Sequence, residues 1–583
     1  VALTDEARAA LAAIQAGTAA HDVESERLDL KTVGRSVPDT LVDLAEAAAC
    51  FANHRGGMIV VGVRDRPGGP EAFVGCDLDP ARTRLAVFER SDPPLTVDTE
   101  TVRFAGAQLL TIHVPESAGV HSVRGRIARR VGSSCMPMSA DHIARLVADR
   151  RGEDWTDVPS DVPAAAVDPT AMTLARRFLS GAADPARTRL VRLADVDLLR
   201  ALGAVAPDGR LNRAGVLLFV DPPNRREHTS YIHRRTPAGD LTANEHFAGP
   251  LVTMLARALE LVTARTDTTS IDVSPLVQIQ AADLPLSAVR EALVNAVMHR
   301  DHRDPSRIVV EHTATRLAVT SPGPFVSGVT AENVLTTASR TRNPRLAEAV
   351  RKLGVAETAG LGVDRMYAAM AGLGHQPPRF VATEATVQVT LTGGAPNTHL
   401  ARFVRTLPPG SAEDADTMLV LLTLLSSRTV TAPILSPLLQ KPESEVRTVL
   451  DRLAAPPYDL LEPTRESVRW TSPTYRLREG PLRDLGTAVT YRRRTTDSRD
   501  RLVLELLGEA GTINARMVRL ILETDVTTTS RVLADMVERG LLVKTSRASR
   551  GPGVTYGPGP KAPARAARRA RRSGRLPPPA RPL

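Results

Sequence analysis

A chain of 583 residues has room for three to five domains, at about 150 residues each. Hydrophobic residues make up 42% and charged residues 24%, which excludes wholesale disorder. The longest apolar runs, IVVGV at 59–63 and LVLLTLL at 419–425, fall far short of the ~18 residues a membrane span needs. The net charge is +10, but residues 561–583 hold eight basic residues and no acid, so residues 1–560 carry only +2.

The N-terminal VALTDEARAALAAI carries acids and lacks the basic start of a signal peptide. Three cysteines, Cys50, Cys76 and Cys135, are too few for a disulfide framework or a zinc cluster. A reduced, cytoplasmic protein with no membrane partner is therefore expected. Lysine is rare, with five against 70 arginines, and asparagine occurs nine times. Under such a bias a surviving Lys31, Asn53, Asn295 or Asn343 stands out.

Composition shifts divide the chain into segments 1–152, 170–395, 412–478 and 497–558, with a tail at 559–583. EDWTDVPSDVPAAAVDP (153–169) reads as a polar connector and THLARFVRTLPPGSAEDAD (398–416) as a linker broken at Pro-Pro-Gly.

In the first segment VESERLDLK (23–31) alternates as a strand does, with Glu24 before Asp29 and Lys31. A helix with Pro38 near its start follows, and Leu41, Leu44, Ala48 and Phe51 recur at helical spacing up to Asn53. GGMIVVGVRD (56–65) is a buried strand ending in Asp65. Further strands read at 96–104, 108–115 and 126–132. ESERLDLK, AxxFANHRGGMIVVGVRD and RRVGSS (129–134), in this order, resemble the Schlafen AlbA domain. Leu30 stands where that family has an aromatic residue, and Asp29 where it has a Glu. In the family's nuclease branch three acids gather at one site, and the resemblance places Glu24, Asp29 and Asp65 there. Three carboxylates can hold divalent metal ions that polarise a phosphate and activate water. Lys31 shares a strand face with Asp29 and could steady a phosphate. Two readings stay open: a metal-dependent nuclease, or a domain that binds nucleic acid without cutting it. Arg129 and Arg130, beside Arg124, Arg126, Ser133 and Ser134, are the candidate phosphate contacts.

In the second segment DLPLSAVREALVNAVMHRDHRD (283–304) starts a helix at Pro285–Ser287. Glu291, Asn295 and His299 lie at i, i+4 and i+8, one polar stripe opposite Val289, Leu293 and Val297. Two strands follow in RIVVEHTATRLAVTSPGP, then SRTRNP (339–344) and the Gly360-x-Gly362 of ETAGLGVDRM. These four motifs resemble the GHKL ATP-binding fold, in the branch often found C-terminal to an AlbA domain. The resemblance implies that Asn295 coordinates Mg²⁺ on ATP and Glu291 orients or activates water. It implies that Gly323 lets the backbone approach adenine, and that Gly360 and Gly362 nest the phosphates at a helix start. Arg342 or Arg365 would offset phosphate charge. The chain departs from that family at Ser321-Pro322-Gly323, which lacks the acid that accepts from the adenine amino group. Losing a charged acceptor costs ~1.5–3 kcal/mol, or one to two decades in affinity, so binding with little turnover is expected.

Residues 412–478 and 497–558 share one order, three helices and then a strand pair, as in winged helix-turn-helix modules. In the second copy Thr527–Arg531 open the third helix. Hydroxyls and an arginine there suit base edges and phosphates, with Thr528 and Arg531 as candidates and Lys544, Arg547 and Arg550 on the wing. The tail, rich in Arg, Pro and Ala, reads as disordered. It serves either solubility or as an arm for phosphates.

The fold class expected is α+β multidomain: an AlbA-like α/β domain, a GHKL-like α/β sandwich, two winged-helix domains and a disordered basic tail. The function expected is an ATP-binding, DNA-binding transcriptional regulator of bacterial type. The alternative is a Schlafen-like nuclease acting on RNA or single-stranded DNA in stress or phage defence. Partners are nucleotide with Mg²⁺ and nucleic acid, DNA ahead of RNA, and a homo-oligomer is compatible with this.

Overall fold

The computed structural model describes residues 3–562, apart from 182–183, 225, 237–238, 275–276, 339, 357–360, 465–466, 468, 491–498, 501, 505, 509, 523 and 547–552. Gly360, Arg547, Arg550 and tail residues 563–583 thus lie outside the described residues. The chain is a mixed α/β multidomain protein with several separate sheets. It divides into two compact units. The first comprises Val1–Thr268, Ala282–Met366 and Gln376–Gly394; the second comprises Thr269–Ala281, Tyr367–His375 and Ala395–Leu583. Among the described residues no helix is long and apolar enough to cross a membrane.

The first unit opens with a four-stranded sheet in the order Leu28–Lys31, Gly57–Val61, Ala107–Val114, Asp98–Phe104. The first pair is parallel and the others antiparallel. Alternation sends Ile59 and Val61 to one face and Met58 and Val60 to the other. Both faces are covered: Ile59 and Val61 pack with Leu44 and Phe51 of the helix Val37–Ala52, and Met58 and Val60 pack with Leu11 and Ile14. That is why GMIVV reads as a continuous apolar run. The expected strand at 23–31 is shorter than its pattern suggests. Residues Ala20–Val23 turn as a helix, Glu24 follows in extended backbone, Glu26 and Arg27 form a bend, and pairing begins only at Leu28.

Asn53 caps that long helix, and its buried side chain donates to the carbonyls of His121 (2.7 Å) and Ala128 (2.9 Å). It fixes the hairpin Ala128–Val131/Ser134–Pro137 over the helix. Three cysteines do allow one bridge: Cys50 and Cys135 are disulfide-bonded, Cα–Cα 6.0 Å apart, and only Cys76 is free. The expectation of three reduced thiols is corrected here, because helix and hairpin bring together cysteines separated by 85 residues.

The connector 153–169 is ordered. Pro159–Pro163 pairs with Arg210–Asn212, and the Arg213 guanidinium lies 4.5 Å over the Trp155 ring. Next comes a six-stranded sheet in the order Leu241–Phe247, Thr229–Arg234, Ile308–Thr313, Arg316–Pro322, Thr386–Thr392, Arg379–Ala382. The helix Leu286–His299 packs on it beside Leu251–Thr263, burying Val289, Leu293 and Val297.

In the second unit the helices Ala415–Ser426, Ala432–Leu439 and Glu443–Ala454 precede the antiparallel pair Leu461–Pro463/Tyr475–Leu477. Further on, Ala515–Leu522 and Val526–Glu538 pack with a three-stranded sheet, Ile513–Asn514, Thr555–Pro558, Leu542–Lys544. Val503, Leu507, Val518, Leu533 and Met536 form its core.

Candidate functional site

A cleft with about 140 Å³ of space inside it opens in the first unit between the helix Leu286–His299 and the six-stranded sheet. Glu291, Asn295 and His299 all line it, as their spacing on one helix face requires. Val319, Val387 and Val389 of the sheet form an apolar wall, with the Phe325 and Phe380 rings 6.2 Å apart beside it. Burial, with Arg342 and Arg351 nearby, pushes the His299 pKa down to about 4, so its imidazole is neutral near pH 7.

Two glycines border the cleft where a side chain has no room. At Gly323, φ is +97°, and a Cβ would stand 2.8 Å from Arg342 Nη1 and 3.0 Å from Asp301 Cβ. At Gly362, the first residue of the helix Gly362–Gly372, a Cβ would meet Glu291 Oε2 at 2.3 Å. The Glu291 carboxylate therefore lies directly against the start of that helix, where backbone N–H groups favour negative charge. Ser321 also lines the cleft, and its hydroxyl donates to the carbonyl of Ala296 (2.8 Å), so its oxygen acts toward a further partner only as an acceptor.

Arg342, expected at the phosphates, is committed elsewhere. It is buried and forms a bidentate pair with Asp149, Nε–Oδ1 3.1 Å and Nη2–Oδ2 3.0 Å. A guanidinium out of water needs a counter-charge, and a helix of the N-terminal domain supplies it. Asn343 is structural as well: its amide donates to the carbonyls of Met298 (3.0 Å) and Arg300 (2.8 Å) and finishes the end of the cleft helix. The arginines that do line the cleft are Arg340 and Arg351. Arg340 belongs to the same SRTRNP motif, so the motif pointed to the segment and not to which of its two arginines faces the ligand.

In the N-terminal domain the acids separate. Asp29 is 2% exposed and pairs with Lys31 Nζ at 3.0 Å and Arg130 Nη2 at 3.2 Å. Glu24 sits beside it, accepts from the Leu30 N–H (2.9 Å), and has its pKa raised by burial and by Asp29. Asp65 instead pairs with His21 at 3.2 Å and is well exposed. Among the described residues no three His, Cys, Asp or Glu side chains group closely enough to hold a metal ion. The expected convergence of Glu24, Asp29 and Asp65 is thus corrected to a pair. The reason is local: Asp65 leaves its strand on the His21 side, while Asp29 points inward to Arg130.

Arg130 is 2% exposed and donates to the carbonyls of Ser25 and Leu28, each at 3.2 Å, besides Asp29, with its guanidinium 4.8 Å over the Phe51 ring. It is a core ion-pair partner and not an exposed phosphate contact. Arg129 is paired with Glu384. The polar pocket around Asp29 is lined by the paired Arg130 together with Lys31, Arg126, Ser133 and Ser134, with Asp43 and Glu46 from the helix. In the second unit Asp525 caps the helix Val526–Glu538 and holds the Thr528 N–H (2.9 Å) and hydroxyl (2.6 Å). Arg531 is exposed one turn on, and Lys544 is exposed at the end of the strand Leu542–Lys544.

Comparison with known proteins agrees with these architectures. Residues 24–139 match the Schlafen AlbA_2 family model. Residues 306–391 match HATPase_c_4, described as "Putative ATP-dependent DNA helicase recG C-terminal". The chain thus carries an AlbA-type and an ATPase-like domain in the expected order. It is also similar to the crystal structure of the DIP2311 protein from Corynebacterium diphtheriae, at 27% identity over 82% of this chain and 98% of that one, with a TM-score of 0.50. No curated protein matches it.

Proposed function

We propose that the protein is a nucleotide-binding, DNA-binding transcriptional regulator in which an ATP cleft accompanies nucleic-acid-binding modules. The observation that carries the nucleotide part is the cleft itself: a polar stripe of Glu291, Asn295 and His299 faces an apolar wall, and Gly323 and Gly362 border it where no Cβ fits. Those residues fit Mg²⁺-ATP. Asn295 and Glu291 offer oxygen donors for the metal, and Arg340 and Arg351 offer charge for phosphates. When bound, Mg²⁺ neutralises phosphate charge. The chain's own residues orient the ligand: Gly323 admits the base edge, Ser321 offers a neutral acceptor in place of a carboxylate, and neutral His299 adds no charge.

A neutral acceptor is weaker than a carboxylate, so the reading is binding in the micromolar to millimolar range with little turnover. The DNA part is supported by the helix Val526–Glu538, which carries exposed Arg531 in a helix, helix, strand-pair order, and by the eight basic residues at 561–583. The nuclease alternative has less support, because only Glu24 and Asp29 stand together and Arg130 already neutralises Asp29. Calorimetry with Mg²⁺-ATP on the wild type and on Asn295→Ala tests the nucleotide reading. Heat from the wild type that is lost in the variant supports it, and no heat from either overturns it.

A further inference from the structure

We propose that Asp149, in the N-terminal domain, is a positioning residue for the nucleotide cleft, acting through Arg342. The inference rests on the nucleotide reading for its functional consequence but on geometry for the contact. The helix Ala140–Arg151 presents Arg145 and Asp149 at i and i+4, on one face. Asp149 grips Arg342 through both carboxylate oxygens, and its Oδ1 also lies 3.5 Å from Arg303 Nη2. Arg145 reaches Asp301 (3.5 Å) and Asp304 (3.7 Å). Two side chains of opposite sign thus meet opposite charges at Asp301, Arg303 and Asp304, in the segment that follows the cleft helix, and at Arg342.

What Arg342 does with its remaining donors links this contact to the ligand. Its Nη1 donates to the carbonyl of His299 (3.3 Å) and its Nη2 to that of Pro324 (3.4 Å). Those carbonyls belong to the last residue of the cleft helix and to the residue after Gly323. The Asp301 N–H donates to the Pro322 carbonyl (2.9 Å), and the Gly323 N–H donates to Ala385 (2.7 Å). The Gly323 turn is therefore held on one side by the sheet and on the other by a guanidinium whose orientation Asp149 sets. A planar fork pinned at one edge by a carboxylate has its other N–H groups aimed in fixed directions. Without the carboxylate, Arg342 is a buried charge lacking its partner, and it must turn toward another acceptor or toward water. The carbonyls of His299 and Pro324 then lose their common donor. By linkage, a ligand of the N-terminal domain that moves this helix changes nucleotide affinity, and nucleotide changes that ligand's affinity by the same factor.

The test uses the full chain. Amide hydrogen exchange is compared between the nucleotide-free wild type and Asp149→Asn, over peptides spanning 296–304 and 320–327. Faster exchange there, with unchanged exchange in the strand Gly57–Val61, is expected. The double variant Asp149→Asn/Arg342→Gln leaves no bare charge and folds even if the single variant does not; it is expected to show the same local change. Asp149→Glu, which keeps the carboxylate, is expected to restore slow exchange. In parallel, Mg²⁺-ATP affinity is expected to fall about tenfold in Asp149→Asn and to recover in Asp149→Glu. Unchanged exchange in both the single and double variants overturns the proposal. Changed exchange in a protein whose wild type gives no ATP heat keeps the positioning role and sinks the nucleotide reading instead.

Discussion

Replacing Arg130 separates a structural role from a nucleic-acid contact. Its guanidinium lies within 3.2 Å of Asp29 Oδ1 and of the carbonyls of Ser25 and Leu28, and 4.8 Å from the Phe51 ring. Arg130→Met removes all of these while roughly keeping the stem. Breaking a buried ion pair by removing one partner costs about 3–5 kcal/mol, because the surviving charge stays buried. Lys31 remains 3.0 Å from Asp29 and offsets part of this, so a loss of about 3 kcal/mol is expected. Urea titration of the full chain measures it, with Asp29→Asn and the double variant completing a cycle. The double variant should recover part of the loss, since neither bare charge then remains. Binding of DNA and RNA, measured well below the unfolding transition, should change little. A variant as stable as the wild type that loses nucleic-acid affinity would refute the reasoning and return Arg130 to the interface.

Other outcomes follow from the same structure. Alkylation after unfolding should label one thiol without reductant and three with it, since only Cys76 is free. Reduction should also cost about 4–5 kcal/mol, the loop-closure entropy for a separation of 85 residues. The pKa values of His299 and His312 are pushed down to about 4 and that of His302 to about 3, chiefly by burial. These bases are neutral when folded and protonate below about 6.5 when unfolded, so their contribution is full above that pH and is lost as pH falls toward 4. His302→Gln should reduce the slope of stability against pH in that window by about 1.4 kcal/mol per unit, read from urea midpoints; an unchanged slope would count against the burial. For DNA, deleting 561–583 should lower the slope of log K against log salt by ~3–4, if about half its eight charges contact phosphates. Arg531→Ala should keep that slope nearly intact and erode preference at one or two base positions by ~1–3 kcal/mol. Loss of every preference with the tail alone would remove the regulator reading.

What the sequence determined by itself is what depends on near neighbours along the chain. The helix Leu286–His299 and its stripe of Glu291, Asn295 and His299 follow from i, i+4 spacing, which any helix there must obey. The strands Gly57–Val61 and Arg316–Pro322 follow from apolar runs bounded by glycine and proline. Tertiary structure alone decided which charged residues stay free. Arg130 finds Asp29 across 101 positions and Arg342 finds Asp149 across 193, so both look in sequence like the exposed arginines beside them. Cys50 and Cys135, too few to announce a bridge, meet only because Asn53 pins a hairpin over the end of their helix. Asp65 follows a strand neighbouring that of Asp29 yet turns to His21. Local patterns specify backbone and facing direction, whereas a buried charge is settled by whichever counter-charge the fold brings within about 3 Å, and that partner is usually far away in the chain.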